Sequence, residues 1–148
     1  MSRRLLLLLI VVPLLASCAS KPADPETRVV EYLQKNVTPG KPVLVTELVN
    51  NVFTEPDEQK AVQRLYDALF QLPAFVAKTY MDSGKIPTRD EITAHFNFKV
   101  PGTTDLLLRI LESDPRVPPF FKRDAAGEIT AVDVEAIRNA DKFGKPLK

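Results

Sequence analysis

The chain has 148 residues, with 13 prolines, one cysteine, one histidine, no tryptophan and a formal charge of +1. So even a balance gives no whole-molecule attraction to nucleic acid or anionic lipid, and a lone cysteine excludes intrachain disulfides as a source of stability. The scattered prolines predict short elements rather than long bundle helices, within one compact domain or two very small ones.

Met1-Ser2-Arg3-Arg4 is basic, Leu5 to Leu15 is apolar and interrupted by Pro13, and small residues then lead to Cys18. That order predicts a signal peptide over residues 1–17, with an apolar run too short to span a bilayer. Leu15-Ala16-Ser17-Cys18 resembles the lipobox of bacterial lipoproteins. The resemblance implies cleavage between Ser17 and Cys18, a diacylglyceryl group on the Cys18 sulfur, and acylation (palmitate, for example) of the new amine. Two or three chains give lasting attachment where one gives weak attachment. Ala19 stands after the cysteine where an aspartate would imply retention at the inner membrane. The resemblance therefore implies an outer-membrane anchor facing the periplasm. Two of the 20 basic side chains, and no acid, precede Cys18, so the processed chain would carry 18 bases, 19 acids and a charge of −1. Residues 18–27 read as the lipidated cysteine and a polar, proline-bearing tether.

Asp24-Pro25 is a helix start, with Val29, Val30 and Leu33 on one face and Pro39-Gly40 as the stop. Val43-Leu44-Val45 reads as a short strand. Thr46 then caps a helix with Leu48, Val49, Val52 and Phe53 as its stripe. Thr54-Glu55-Pro56-Asp57 restarts a helix carrying Ala61, Val62, Leu65, Ala68, Leu69 and Leu72, and Pro73 is expected to end it. Phe75 to Met81 has strand composition and runs through the turn Asp82-Ser83-Gly84-Lys85 to Ile86. Thr88-Arg89-Asp90-Glu91 is a capping box for a helix with Ile92 and Phe96 inward, and Pro101-Gly102 breaks the chain. Leu106, Leu107, Ile110 and Leu111 mark a helix closed by Asp114-Pro115. Phe120 to Arg123, the turn Asp124-Ala125-Ala126-Gly127 and Ile129 read as a hairpin, and Thr130 to Asp133 introduces a last helix with Val134 and Ile137. Residues 142–148 form a basic tail, either solvated or a contact for an anionic head group or cell-wall polymer.

The second half repeats the pattern of the first: Gly84-Lys85-Ile86 corresponds to Gly127-Glu128-Ile129, and Thr46-Glu47-Leu48 to Asp90-Glu91-Ile92. Helix, turn, helix and hairpin in that order resembles the winged-helix family. Arg64 to Leu69 with Phe75-Val76 and Ser83-Gly84-Lys85 is similar to its second helix and wing, and Leu108 to Glu112 with Phe120 to Ile129 is a second copy. The expected fold is therefore helix-rich α+β with two winged-helix-like units, over residues 28–87 and 88–141, the second packed on the first. A mostly α single domain is the alternative. The family places its second helix in the DNA major groove. Here that helix would present Glu58, Gln59, Lys60, Gln63, Arg64 and Asp67, and its counterpart Asp105, Arg109 and Glu112. Neither face is the basic stripe that phosphate binding needs, so nucleic acid is not the expected partner.

Residues 122–133 echo an EF-hand loop around Gly127, but Lys122 and Ala126 occupy ligand positions. The same register around Gly84 offers Thr79, Met81 and Ser83, so both segments read as turns. His95 lacks ligand-type neighbours at metal spacing, and a Ser83, His95 and Asp90 triad lacks a nucleophile elbow. Asp57 with Glu58, and Glu47 with Glu55, sit at helix starts, where they complement the macrodipole. No cofactor or metal is expected. The reading is a lipid-anchored, non-catalytic binding or assembly module for an envelope protein or cell-wall component. Tyr80, Met81, Phe120 and Phe121 are candidate partner contacts, with core packing as their other reading. A DNA-binding protein with an unprocessed leader and a periplasmic hydrolase built around His95 are the alternatives.

Overall fold

The computed structural model describes residues 23–143. The segments expected to be signal peptide and lipidated cysteine, and the start of the expected tether, lie outside the described residues, as do residues 144–148 of the tail. The architecture is helix-rich with one small antiparallel sheet, as expected of a helix-rich α+β chain.

Helix α1 (Pro25–Asn36) begins behind Asp24 with proline in its first turn, and buries Val29, Val30 and Leu33. A single turn, α2 (Val45–Glu47), runs into a π turn at Leu48–Val52. The strand expected at Val43 to Val45 is absent. Leu44 is exposed, and its carbonyl accepts from the amides of Glu47 and Leu48 at 3.1 Å. With no neighbouring strand to pair it, the β-branched run starts a helix instead.

The 28-residue α3 (Pro56–Ser83) is the spine of the molecule, about 42 Å long at 1.5 Å per residue. It corrects three expectations, the first being that the scattered prolines allow only short elements. Pro73 lies inside it, and Phe75 to Met81 are helical. The burial pattern shows why: Val62, Leu65, Ala68, Leu72, Val76 and Ala77 form one inward stripe that crosses Pro73 without a change of period. Packing along that stripe outweighs the hydrogen bond that proline removes and the local strand composition beyond it. The helix ends at Gly84, whose φ of 71° few other residues adopt, and whose amide donates to the Tyr80 carbonyl at 2.8 Å. The turn expected at residues 82–85 is thus a helix stop, and the first hairpin does not form.

Helix α4 (Arg89–Phe96) has its capping box. Thr88 Oγ1 accepts from the Glu91 amide at 3.2 Å, and Glu91 Oε2 accepts from the Thr88 amide at 2.7 Å. Asn97, at φ 53°, closes it. Helix α5 (Thr103–Ser113) follows the Pro101-Gly102 turn and buries Leu106, Leu107, Leu108 and Ile110. Strands β1 (Phe121–Arg123) and β2 (Ile129–Val132) then form the expected second hairpin, pairing Phe121 with Val132 and Lys122 with Ala131. Its turn closes with the Gly127 amide donating to the Asp124 carbonyl at 3.0 Å. Asp133 Oδ1 accepts from the Ala136 amide at the start of α6 (Val134–Phe143), which packs on α3. One apolar core runs from Val29 on α1 through Leu72, Ile92 and Leu107 to Ile129 and Ile137, so both halves of the chain share it.

Candidate functional site

A groove of about 480 Å³ lies between α3 and the C-terminal end of α4. Its α3 wall presents Lys60, Gln63, Arg64, Asp67 and Gln71, side chains three and four residues apart on one helix face. The opposite wall is His95, Phe96 and Phe98, gathered where Asn97 turns the chain out of α4.

The aromatic wall is internally braced. His95 stacks on Phe75 with ring centres 3.8 Å apart and 14° between planes. Phe96 stands nearly perpendicular to both rings, at 5.8 Å from Phe75 and 4.8 Å from His95, and stacks on Phe98 at 5.5 Å and 15°. The three contacts of Phe96 lie within the separation of about 4.5–7 Å that ring quadrupoles favour. Phe98 is buried, so the stack is rooted in the core while Phe96 reaches the groove.

Arg64 ties the walls together. Its Nη1 donates to Glu26 Oε2 on α1 at 2.8 Å, and its Nη2 to the carbonyls of Asn97 at 2.9 Å and Phe96 at 3.3 Å. Glu26 is buried, so this carboxylate depends on its partner. A second pair runs the other way between the same helices, with Arg28 of α1 meeting the buried Glu58 of α3 at 2.6 Å. Of the remaining charges of the groove, Lys60 lies 3.2 Å from Asp57 in an exposed pair, while Asp67 accepts from the neutral Gln63 amide at 2.8 Å and keeps its charge. The helix face expected to be presented as Glu58 to Asp67 is therefore corrected at Glu58, which is buried, and Arg64 is already committed.

A separate ionic cluster clasps the hairpin. Arg89 donates to Glu128 at 2.7 Å and to Asp105 at 2.9 Å, while Arg123 spans Glu112 at 2.7 Å and Asp105 at 3.4 Å. The Arg89 side chain holds the Glu128 carboxyl below the usual glutamate range, and Glu128 followed by Asp105 raises the Arg89 guanidinium further. Arg116 does the same for Asp114. The Arg89 and Arg123 pairs join α4 and α5 to β1 and the hairpin turn, which is a structural role.

Among the other candidate residues, Tyr80 and Met81 are 39% and 49% exposed, and Met81 Sδ accepts from Arg138 Nη2 at 3.1 Å. Phe120 and Phe121 are only 7% and 8% exposed and belong to the core. Phe121 is the first residue of β1 and Phe120 immediately precedes it, and both rings pack in the apolar cluster. Ser83 Oγ donates to the Thr79 carbonyl at 2.7 Å, so its hydroxyl serves the helix end, and His95 keeps to the aromatic stack. Asp124 Oδ1 accepts the Glu128 amide at 2.9 Å inside the hairpin turn. Among the described residues no three His, Cys, Asp or Glu side chains converge on a metal position, and no helix is long and apolar enough to cross a membrane. Sequence reasoning placed Lys60, Gln63, Arg64 and Asp67 on one face, but did not anticipate Gln71 continuing that face or Phe96 and Phe98 across from it.

Comparison with protein families, with curated proteins and with solved structures finds no match to this chain.

Proposed function

We propose that this protein is a lipid-anchored component of the bacterial cell envelope, held through Cys18 at the outer membrane and facing the periplasm. Its folded part is a non-catalytic binding or assembly module for a protein or cell-wall partner. The leader ending in Leu15-Ala16-Ser17-Cys18 supports the anchor. The observation that carries the binding reading is the α3–α4 groove, a concave surface with a braced aromatic wall facing the amides and charged side chains of α3. Within the same proposal, α4, α5 and the β1–β2 hairpin form one winged-helix-like unit, since they follow one another in the family's order. The first half contributes helices only.

The test is the intact mass and N-terminal peptide map of the protein from its native host, beside a Cys18→Ala variant. An acylated Cys18 at the N-terminus, with membrane fractionation that Cys18→Ala abolishes, is the expected outcome. An uncleaved chain with an unmodified Cys18 refutes the anchor.

A further inference from the structure

We infer that the α3–α4 groove receives an uncharged oligosaccharide strand, a proposal that rests on the reading of the folded part as an envelope binding module. Three features of the lining converge on that chemistry.

The first is charge. Lys60 is paired with Asp57, Arg64 with Glu26, and Asp67 holds the Gln63 amide. A strongly charged ligand is recognised by an excess of the opposite charge, and the groove holds no positive excess. Lys60 and Arg64 stand among Asp57, Glu26 and Asp67, so an anionic ligand is disfavoured, and the one negative charge left on Asp67 is too little to select a polycation. The second is the neutral polar inventory. The Gln71 carboxamide and the Gln63 carbonyl oxygen stand on the α3 wall, and a carboxamide offers donors and an acceptor in one plane. Adjacent sugar hydroxyls, each both donor and acceptor, match that arrangement. The third is the ring surface. A pyranose presents a face of polarised C–H bonds, and such a face packs on the negative face of an aromatic ring. Phe96 is held in place by the stacked Phe98 and by perpendicular contacts with Phe75 and His95, so little freedom is lost on binding.

A peptide fits less well. Docked helices and extended peptides insert aliphatic anchors into apolar sockets, and the only aliphatic side chain lining this groove is Ala68. The groove's volume of about 480 Å³ lies within the range of small-ligand clefts.

The experiment titrates the mature lipidated chain, in detergent micelles, with chitotetraose, an uncharged β-linked tetrasaccharide of N-acetylglucosamine. Amide chemical shifts report the binding position. Saturable shifts confined to residues 60–71 and 94–98 are expected. Gln71 is exposed, and none of the fold's side-chain hydrogen bonds among the described residues uses it. Gln71→Ala should therefore weaken binding roughly fivefold, the loss of one hydrogen bond, with the melting temperature unchanged. Phe96→Leu should weaken it more, and Gln71→Ala still decides the matter if that variant fails to fold. No saturable shift, shifts mapping elsewhere, or wild-type affinity in Gln71→Ala each overturns the inference. A photo-crosslinker at position 63 in native cells separates the two readings. A protein captured there, without tetrasaccharide binding, overturns the saccharide and leaves the binding module standing. Neither capture nor saccharide binding removes the module as well.

Discussion

Replacing Pro73 by alanine tests the most consequential departure of this fold from its sequence, the continuity of α3. Proline inside a helix is about 3 kcal/mol less favourable than alanine, because it removes an amide donor and crowds the preceding turn. Here the carbonyl left without its helical donor is that of Leu69, four residues before Pro73. Alanine restores that donor. Against this, Pro73 is buried, and the exchange removes two ring carbons, about 1.6 kcal/mol at roughly 0.8 kcal/mol for each buried methylene. Greater freedom of the unfolded chain costs about 0.5 kcal/mol more. The balance is a gain of about 1 kcal/mol, worth roughly 3 °C in melting temperature for a domain of this size. Urea unfolding followed by far-UV circular dichroism measures it, since both variants should lose the same helix in one transition. A loss of 1 kcal/mol or more would refute the reasoning. It would mean that Pro73 separates two elements, as its position in the sequence suggests.

Three further outcomes follow from the ion pairs and the cap. Arg64→Gln leaves the buried Glu26 without its cation and two carbonyls without donors. Breaking a buried pair costs about 3–5 kcal/mol, and the 43% exposure of the Arg64 side chain brings the expected loss to about 2 kcal/mol. Denaturant midpoints check it, and a change below about 0.5 kcal/mol counts against the clasp. Glu128 has its carboxyl pKa lowered in the folded state, so its stabilising effect is present above the ordinary glutamate value of about 4.3 and fades as the pH falls below it. Glu128→Gln should therefore be less stable than wild type at neutral pH and converge with it in acid. A gap that stays constant across that range refutes the assignment. Thr88→Ala removes one half of the capping box and should cost about 1 kcal/mol by thermal melting. No change would mean that water serves the Glu91 amide equally well.

The elements written in local chemistry were legible. Asp24-Pro25, the Thr88–Glu91 box, Pro101-Gly102 and the Asp124–Gly127 turn each satisfy or break backbone hydrogen bonds within a few residues, and each stands where the sequence put it. Val43 to Val45 and Phe75 to Met81 were misread for a shared reason. β-branched and aromatic side chains favour a strand only where a neighbouring strand exists, and neither segment has one. For residues 75–81 the deciding signal was present but non-local. Val76 and Ala77 continue the inward stripe of Leu65, Ala68 and Leu72 at helical period, whereas a strand would bury alternate residues. Reading through the proline, rather than stopping at it, would have found α3.

The groove was less legible, because its parts meet across the chain. Glu26 and Arg64 are 38 residues apart in sequence, and Arg64 and Asn97 are 33 apart, so no spacing rule links them. Each residue also has an ordinary local reading: a helix-start acid, a surface arginine, an aromatic near a helix end. Only the fold shows that one guanidinium serves all three helices. That guanidinium couples α1, the helix nearest the proposed anchor, to the wall that carries Phe96. Loosening α1 would therefore remove the carboxylate that fixes the Arg64 guanidinium, and with it the orientation of the donor that holds the Phe96 and Asn97 carbonyls and the turn that aims the ring stack. The same Arg64→Gln variant that costs stability should thus also blunt whatever the groove binds, whereas Thr88→Ala, at the other end of α4, should cost stability alone.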